Sequence, residues 1–104
     1  MQRRARNRRG SRGRAPTPVF ISKHISSDSF TPQKPSSEEH VVLEEAELEA
    51  MRLVDLEGLS QEEAGTKMGV SRGTIWRLLQ EARRKTTAAL SEGKGIDIRS
   101  EGFA

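Results

Sequence analysis

The break Gly69-Val70-Ser71, between two helix-forming runs, constrains this chain more than any other stretch. Upstream, Ser60-Gln61-Glu62-Glu63 has the form of a capping box: the Ser60 hydroxyl accepts from the Glu63 amide while Glu63 reaches back to the Ser60 amide. The helix so started ends about two turns later at Gly69, and Ser71 can cap a further helix three residues before Thr74. Where two helices meet across so short a turn, a small residue must stand at the close approach, and a glycine can turn the chain with positive φ. Gly65 and Gly69 hold these places, and Ala64, Met68, Val70, Ile75 and Leu78 have the spacing of a shared core. The pattern is that of a helix-turn-helix.

The flanking sequence extends it. From Val41 onward Ala46, Ala50, Leu53, Val54 and Leu56, with Leu48 and Met51 beside them, recur at near-helical spacing in an acidic, helix-favouring run that Gly58 stops. The last helix carries Ile75, Leu78, Leu79, Ala82, Thr86, Ala89 and Leu90 on one stripe and runs to Gly93. Ile96-Asp97-Ile98-Arg99 alternates like a short edge strand with a fraying end. The expected architecture is an all-α, tri-helical helix-turn-helix domain over residues 41–93, followed by a short tail, 94–104. Ahead of it, residues 1–14 contain seven Arg, two Gly and no acid, and are expected to be disordered. Residues 15–40, with Pro16, Pro18, Pro32 and Pro35, read as an extended arm with Val19-Phe20-Ile21 as a short strand and Phe30 as an anchor.

Composition limits what such a chain can do. In 104 residues, 33% are hydrophobic, 32% are charged and mean hydropathy is -0.71, which leaves no material for a deep substrate cavity. No apolar run approaches the roughly 18 to 20 residues of a membrane span. The charged start is not followed by the apolar segment of a secretory signal. The absence of cysteine excludes disulfides, thiolate metal sites and cysteine nucleophiles. A cytoplasmic protein is expected, nucleoid-associated when bound to DNA. The net charge of +3 conceals segregation: residues 1–37 sum to +8, residues 38–63 to −9 and residues 64–99 to +5. Such asymmetry points to nucleic acid.

With Ile75, Leu78, Leu79 and Ala82 inward, the last helix displays Arg72, Gly73, Trp76, Arg77, Gln80, Arg83 and Arg84 outward. Arg can bridge two acceptors on guanine, Gln can pair with adenine, and an aromatic edge can touch a thymine methyl. Arg72, Arg77 and Gln80 are therefore expected to contact bases, with Trp76 either doing so or covering Leu79. Ser71, Thr74, Arg83, Arg84 and Lys85 are expected to hold phosphates. The Arg-rich start can add sequence-independent affinity for DNA or favour structured RNA. His24 and His40 lack partner spacing, and Glu44, Glu45, Glu47 and Glu49 sit on what reads as a solvated helix. Neither catalysis, a cofactor nor a metal is expected.

The runs Glu49-Ala50-Met51-Arg52-Leu53, Asp55 to Ala64 and Met68-Gly69-Val70-Ser71-Arg72 closely resemble a family of small, largely uncharacterised prokaryotic proteins predicted to bind DNA. Ala82-Arg83-Arg84-Lys85 and Ala88-Ala89-Leu90 before Gly93-Lys94 fit the same family, and Phe30-Thr31-Pro32 resembles its Phe-x-Pro element. The resemblance implies a tri-helical domain, winged-helix-like in superfamily, whose helix-turn-helix is similar to region four of sigma factors, and a transcription regulator that reads double-stranded DNA. There are departures. Gly65 stands where the family usually has Ala, which loosens the helix by roughly 1 kcal/mol. Gly73 replaces a DNA-facing side chain, Trp76 a smaller aromatic and Ala46 an acid, and Glu44 is a poor N-cap. A homodimer is compatible with so small a core. The alternatives are an adaptor docking on the transcription machinery through the acidic first helix, and RNA binding through the arm.

Overall fold

Val41 and Val42 are adjacent β-branched residues, which lose χ1 freedom in a helix and suit a pleated strand. They settle as strand. The structure, a computed structural model, describes residues 19–21 and 28–100. In chain order it comprises β1 (Ser29–Phe30), β2 (His40–Glu44), α1 (Glu45–Met51), α2 (Gln61–Met68), α3 (Arg72–Glu92) and β3 (Gly95–Arg99). The first helix continues past Met51 as a π-helical turn over Arg52–Leu56, closed by Glu57 N–H donating to the Arg52 carbonyl at 2.9 Å. Gly58, at φ 80°, then ends it.

The strands form one sheet in the order β1-β3-β2, so the fold is three helices plus a three-stranded sheet and not purely all-α. Strand β2 runs parallel to β3, with His40 opposite Gly95 and Glu44 opposite Arg99, and β1 pairs antiparallel on the other side, Phe30 opposite Ile96. Three sequence expectations are corrected here. Residues 41–44 are strand, because pairing with β3 outweighs the helix-favouring composition that follows. The alternating run at 96–99 is the middle strand rather than a fraying edge. Val19–Ile21 is not a strand: Phe20 N–H bonds singly to the Met68 carbonyl at 3.1 Å, and no ladder forms. Residues 1–14, His24 and the end of the tail lie outside the described residues.

The core joins Ala46, Ala50, Leu53, Ala64, Met68 and Ile75, with Val19, Val54, Leu59, Val70 and Leu78 packed against it. Leu79 and Ala82 are also fully buried on α3. Leu90, expected on that stripe, is 78% exposed: it keeps the stripe's face but lies beyond the core cluster, where it lines an open groove with Phe30 and Ile96. No helix among the described residues is long and apolar enough to cross a membrane.

Gly65 is explained by the packing. A Cβ there would stand 2.7 Å from the Val70 carbonyl oxygen, and the Val70 N–H donates to the Gly65 carbonyl at 2.9 Å. In this arrangement an alanine would have to displace the Val70 carbonyl, so the glycine permits the close approach of the two backbones.

Candidate nucleic-acid interface

The caps read from sequence form in the structure. Glu63 N–H donates to Ser60 Oγ at 3.0 Å and Ser60 N–H to Glu63 Oε1 at 2.8 Å, which starts α2. Gly69 ends it in the left-handed region at φ 72°. Ser71 Oγ accepts from Thr74 N–H at 3.1 Å and donates to Thr74 Oγ1 at 3.0 Å, which starts α3. These local bonds set the angle at which α3 leaves the turn, and so which of its side chains face outward.

The exposed face at the N-terminal half of α3 carries Arg72, Gly73, Trp76, Arg77 and Gln80, with Ser71 exposed and Thr74 half-buried at its start. Trp76 is 53% exposed, so about half of its surface is open to solvent on this face. Arg77 Nη2 donates to Thr74 Oγ1 at 3.2 Å, which steadies the guanidinium at the helix start. At Gly73 an added Cβ would meet only Ser71 Oγ, at 3.8 Å, leaving bare backbone accessible between Arg72 and Thr74.

The basic residues further along are placed differently. Arg83 makes a two-pronged bond to Asp55 at 2.7 and 3.0 Å, tying α3 to the π-helical turn. Those bonds hold the Asp55 carboxyl below its ordinary pKa and push the Arg83 guanidinium further up. Arg84 grips Glu81 one turn earlier at 2.9 and 3.0 Å while staying largely exposed. Lys85 is turned inward: its Nζ donates to Glu47 Oε1 at 2.8 Å, with side chains only 19% and 9% exposed.

The first helix is therefore not the solvated acidic surface its sequence suggests. Glu47 is buried and also accepts the Glu44 N–H at 2.9 Å, which completes the start of α1 despite the weak cap at Glu44. Glu49 is 2% exposed and holds Arg52 through both oxygens, at 3.0 and 3.1 Å, while Arg52 reaches Glu57 at 2.7 Å. Burial of these carboxylates is tolerated because each is charge-paired and hydrogen-bonded.

On the sheet, His40 Nδ1 lies 2.9 Å from Asp97 Oδ1, which also accepts from Ser29 Oγ at 3.1 Å. His40 thus has a partner that its sequence neighbourhood does not announce. Asp97 stands between the hydroxyl and the imidazole, so the serine is not activated by the histidine. Phe30 is 55% exposed; with Pro32, Ala89, Leu90 and Ile96 it lines an open apolar groove of about 290 Å³ at the far end of α3. Among the described residues no group of three acids or histidines could hold a metal ion.

Residues 1–103 match the family described as "Protein of unknown function DUF134". A UPF0251 protein of Pyrococcus furiosus is 52% identical over 73 residues, covering 70% of this chain and 64% of that protein. A UPF0251 protein of Archaeoglobus fulgidus is 40% identical over 91 residues, covering 88% of this chain and 87% of its own length. One of Methanosarcina acetivorans is 43% identical over 94 residues, covering 88% and 84%. The matches to the Pyrococcus and Thermococcus relatives span only 46–64% of those proteins. No solved structure matches the chain.

Proposed function

We propose that this chain, which belongs to the DUF134/UPF0251 family, binds double-stranded DNA in a sequence-dependent manner and regulates transcription. On this reading α2, the turn and α3 are a helix-turn-helix of the sigma region-four type, with the N-terminal half of α3 in the major groove. The supporting observation is where unpaired positive charge remains. Among the described residues Arg52, Arg83, Arg84 and Arg99 hold carboxylates, whereas Arg72 and Arg77 hold none and both stand on the exposed start of α3.

The residue types suit base reading. Arg72 and Arg77 can each bridge two acceptors on a guanine, Gln80 can pair with an adenine, and the Trp76 edge can meet a thymine methyl. The amides of Arg72 and Gly73 at the helix start, with Ser71 and Thr74, suit a backbone phosphate, and the missing side chain at Gly73 permits close approach. Arg84 can join them, since an exposed ion pair such as that with Glu81 is worth only about 0.2–1 kcal/mol and exchanges readily for a phosphate. Arg83 would have to release Asp55 to do so. Lys85 drops out of the interface.

Selection from random duplex DNA at about physiological salt, followed by sequencing, tests this. The expected result is a recovered motif in which Arg77→Ala removes roughly 1–3 kcal/mol of preference at one base position. Recovery of no motif, with binding that collapses as salt rises, would refute sequence reading and favour RNA or a protein as partner. The burial of Glu47 and Glu49 leaves the adaptor alternative with less acidic surface than the sequence offered it.

A further inference from the structure

The two edges of the sheet differ. At one edge β1 is two residues long, too short to serve as a template for another chain. At the other, β2 runs for five residues, His40-Val41-Val42-Leu43-Glu44, and among the described residues no strand pairs with its far side. That side carries none of the usual guards: the strand has no Lys and no Pro, and its register against β3 runs without a bulge from His40 to Glu44. Its middle residue, Val42, is 38% exposed.

The direction of the backbone groups follows from the pairing. Ile98 N–H donates to the Asp28 carbonyl, on the β1 side. Successive residues of a strand point their N–H and C=O groups to alternate sides, so Gly95, Asp97 and Arg99 turn theirs toward β2, where Val41 and Leu43 meet them. His40, Val42 and Glu44 therefore turn their backbone groups to the far side. The Glu44 N–H agrees with this, since it reaches Glu47 Oε1 at 2.9 Å rather than β3. Val42 N–H and C=O stand at the centre of the open edge.

We infer that β2 is a dimerisation edge: two copies of this chain pair their β2 strands antiparallel about a two-fold axis at Val42, joining their sheets into one. The strand's own sequence selects the occupant, because about Val42 it is self-complementary. Val41 falls opposite Leu43 of the second copy, on the face that holds the buried Leu43, and basic His40 falls opposite acidic Glu44 of the second copy, on the outer face. Centring the pair on Val41 or Leu43 instead sets Val42 against His40 or Glu44 and loses both matches. Glu39, the next residue outward, already has its charge met by Lys94 at 3.2 Å. The central pair, Val42 with Val42, exchanges two backbone hydrogen bonds. A five-residue edge is smaller than the roughly 800 Å² per partner of a stable interface, so the dimer is weak and concentration-dependent. This pairing does not depend on the DNA-binding reading above.

Sedimentation equilibrium of the full chain from about 1 μM to about 1 mM tests the pairing without DNA. The mass is expected to rise across that range from that of one chain, 11.6 kDa, toward twice that value. Val42→Lys sets like charges against each other at the two-fold axis and is expected to raise the dissociation constant at least about tenfold, with the far-UV circular dichroism of the intact chain. The chain contains no cysteine, so Val42→Cys supplies one thiol per copy. Across an antiparallel hydrogen-bonded pair the Cα atoms lie about 5.5 Å apart, within disulfide reach. Mild oxidation is expected to link Val42→Cys chains at least about tenfold faster than Thr87→Cys chains, whose thiol would be exposed on α3, because pairing raises the effective concentration only at the edge. A single-chain mass over the whole range, a dimer that Val42→Lys leaves intact, or equal rates of linking at positions 42 and 87 would overturn the inference, and none of these results would bear on whether α3 reads DNA.

Discussion

Lys85→Met separates a residue that holds the domain together from one that holds DNA. The substitution keeps most of the aliphatic stem and removes the charge that Glu47 Oε1 meets at 2.8 Å. Removing one partner of a fully buried pair costs about 3–5 kcal/mol, because the other is left charged and unpaired. Here the side chains are 19% and 9% exposed and the Glu44 N–H still reaches Glu47, so the expected loss is smaller, about 2 kcal/mol. For a domain of this size that lowers Tm by about 8–16 °C. Adding Glu47→Gln should restore most of it, since the amide oxygen keeps the Glu44 N–H bond and no charge is stranded. Thermal unfolding of the two single variants and the double variant gives this coupling directly. In parallel, the salt dependence of DNA binding should keep its slope in Lys85→Met, whereas loss of one phosphate contact would reduce it by about 0.9. A variant with unchanged Tm and a slope reduced by that amount would refute the placement of Lys85 and put it on the DNA.

Three further outcomes are expected. Gly65→Ala gains about 1 kcal/mol of helix propensity but drives a Cβ to 2.7 Å from the Val70 carbonyl oxygen, a backbone overlap of the kind that costs about 1–3 kcal/mol; the urea midpoint should fall, and a rise would mean that the turn opens without penalty. Ser71→Ala removes the acceptor of the Thr74 N–H and should cost about 1 kcal/mol, with faster amide exchange at Thr74; unaltered protection there would show that the cap is dispensable. Arg83 holds the Asp55 carboxyl below its ordinary pKa, so the pair's stabilisation is complete above the unfolded value, about pH 4, and is lost as pH falls through the lowered folded one. Asp55→Asn should therefore remove up to about 1 kcal/mol at neutral pH and make denaturant stability less acid-dependent below pH 4, and an unchanged acid profile would argue that the pair does not form in solution.

What was legible in the sequence was local. Ser60 and Glu63, Gly69, and Ser71 and Thr74 act on neighbours three residues away or on their own backbone, so their chemistry is written in adjacent letters. The exposed face of α3 follows from the same periodicity. The sheet was not legible, because β1 is two residues long and pairs with a strand more than sixty residues later, and because β2 is followed at once by a strong helix former. The separation of Asp55 from Arg83 by 28 residues and of Glu47 from Lys85 by 38 hid these pairs for the same reason.

Those long-range pairs change the meaning of the charge pattern. Read along the chain, an acidic block between two basic ones looks like a surface divided into opposite fields. In the fold, Glu39, Glu44, Glu47 and Asp55 of the acidic block meet Lys94, Arg99, Lys85 and Arg83 of the basic block that follows. The middle of the sequence thereby neutralises the C-terminal half of α3 and the strand after it. Neutralisation stops short of Arg72 and Arg77, which are exposed and hold no carboxylate among the described residues. On the DNA-binding reading proposed above, Arg72 and Arg77 at the start of α3 are the arginines left to meet a polyanion.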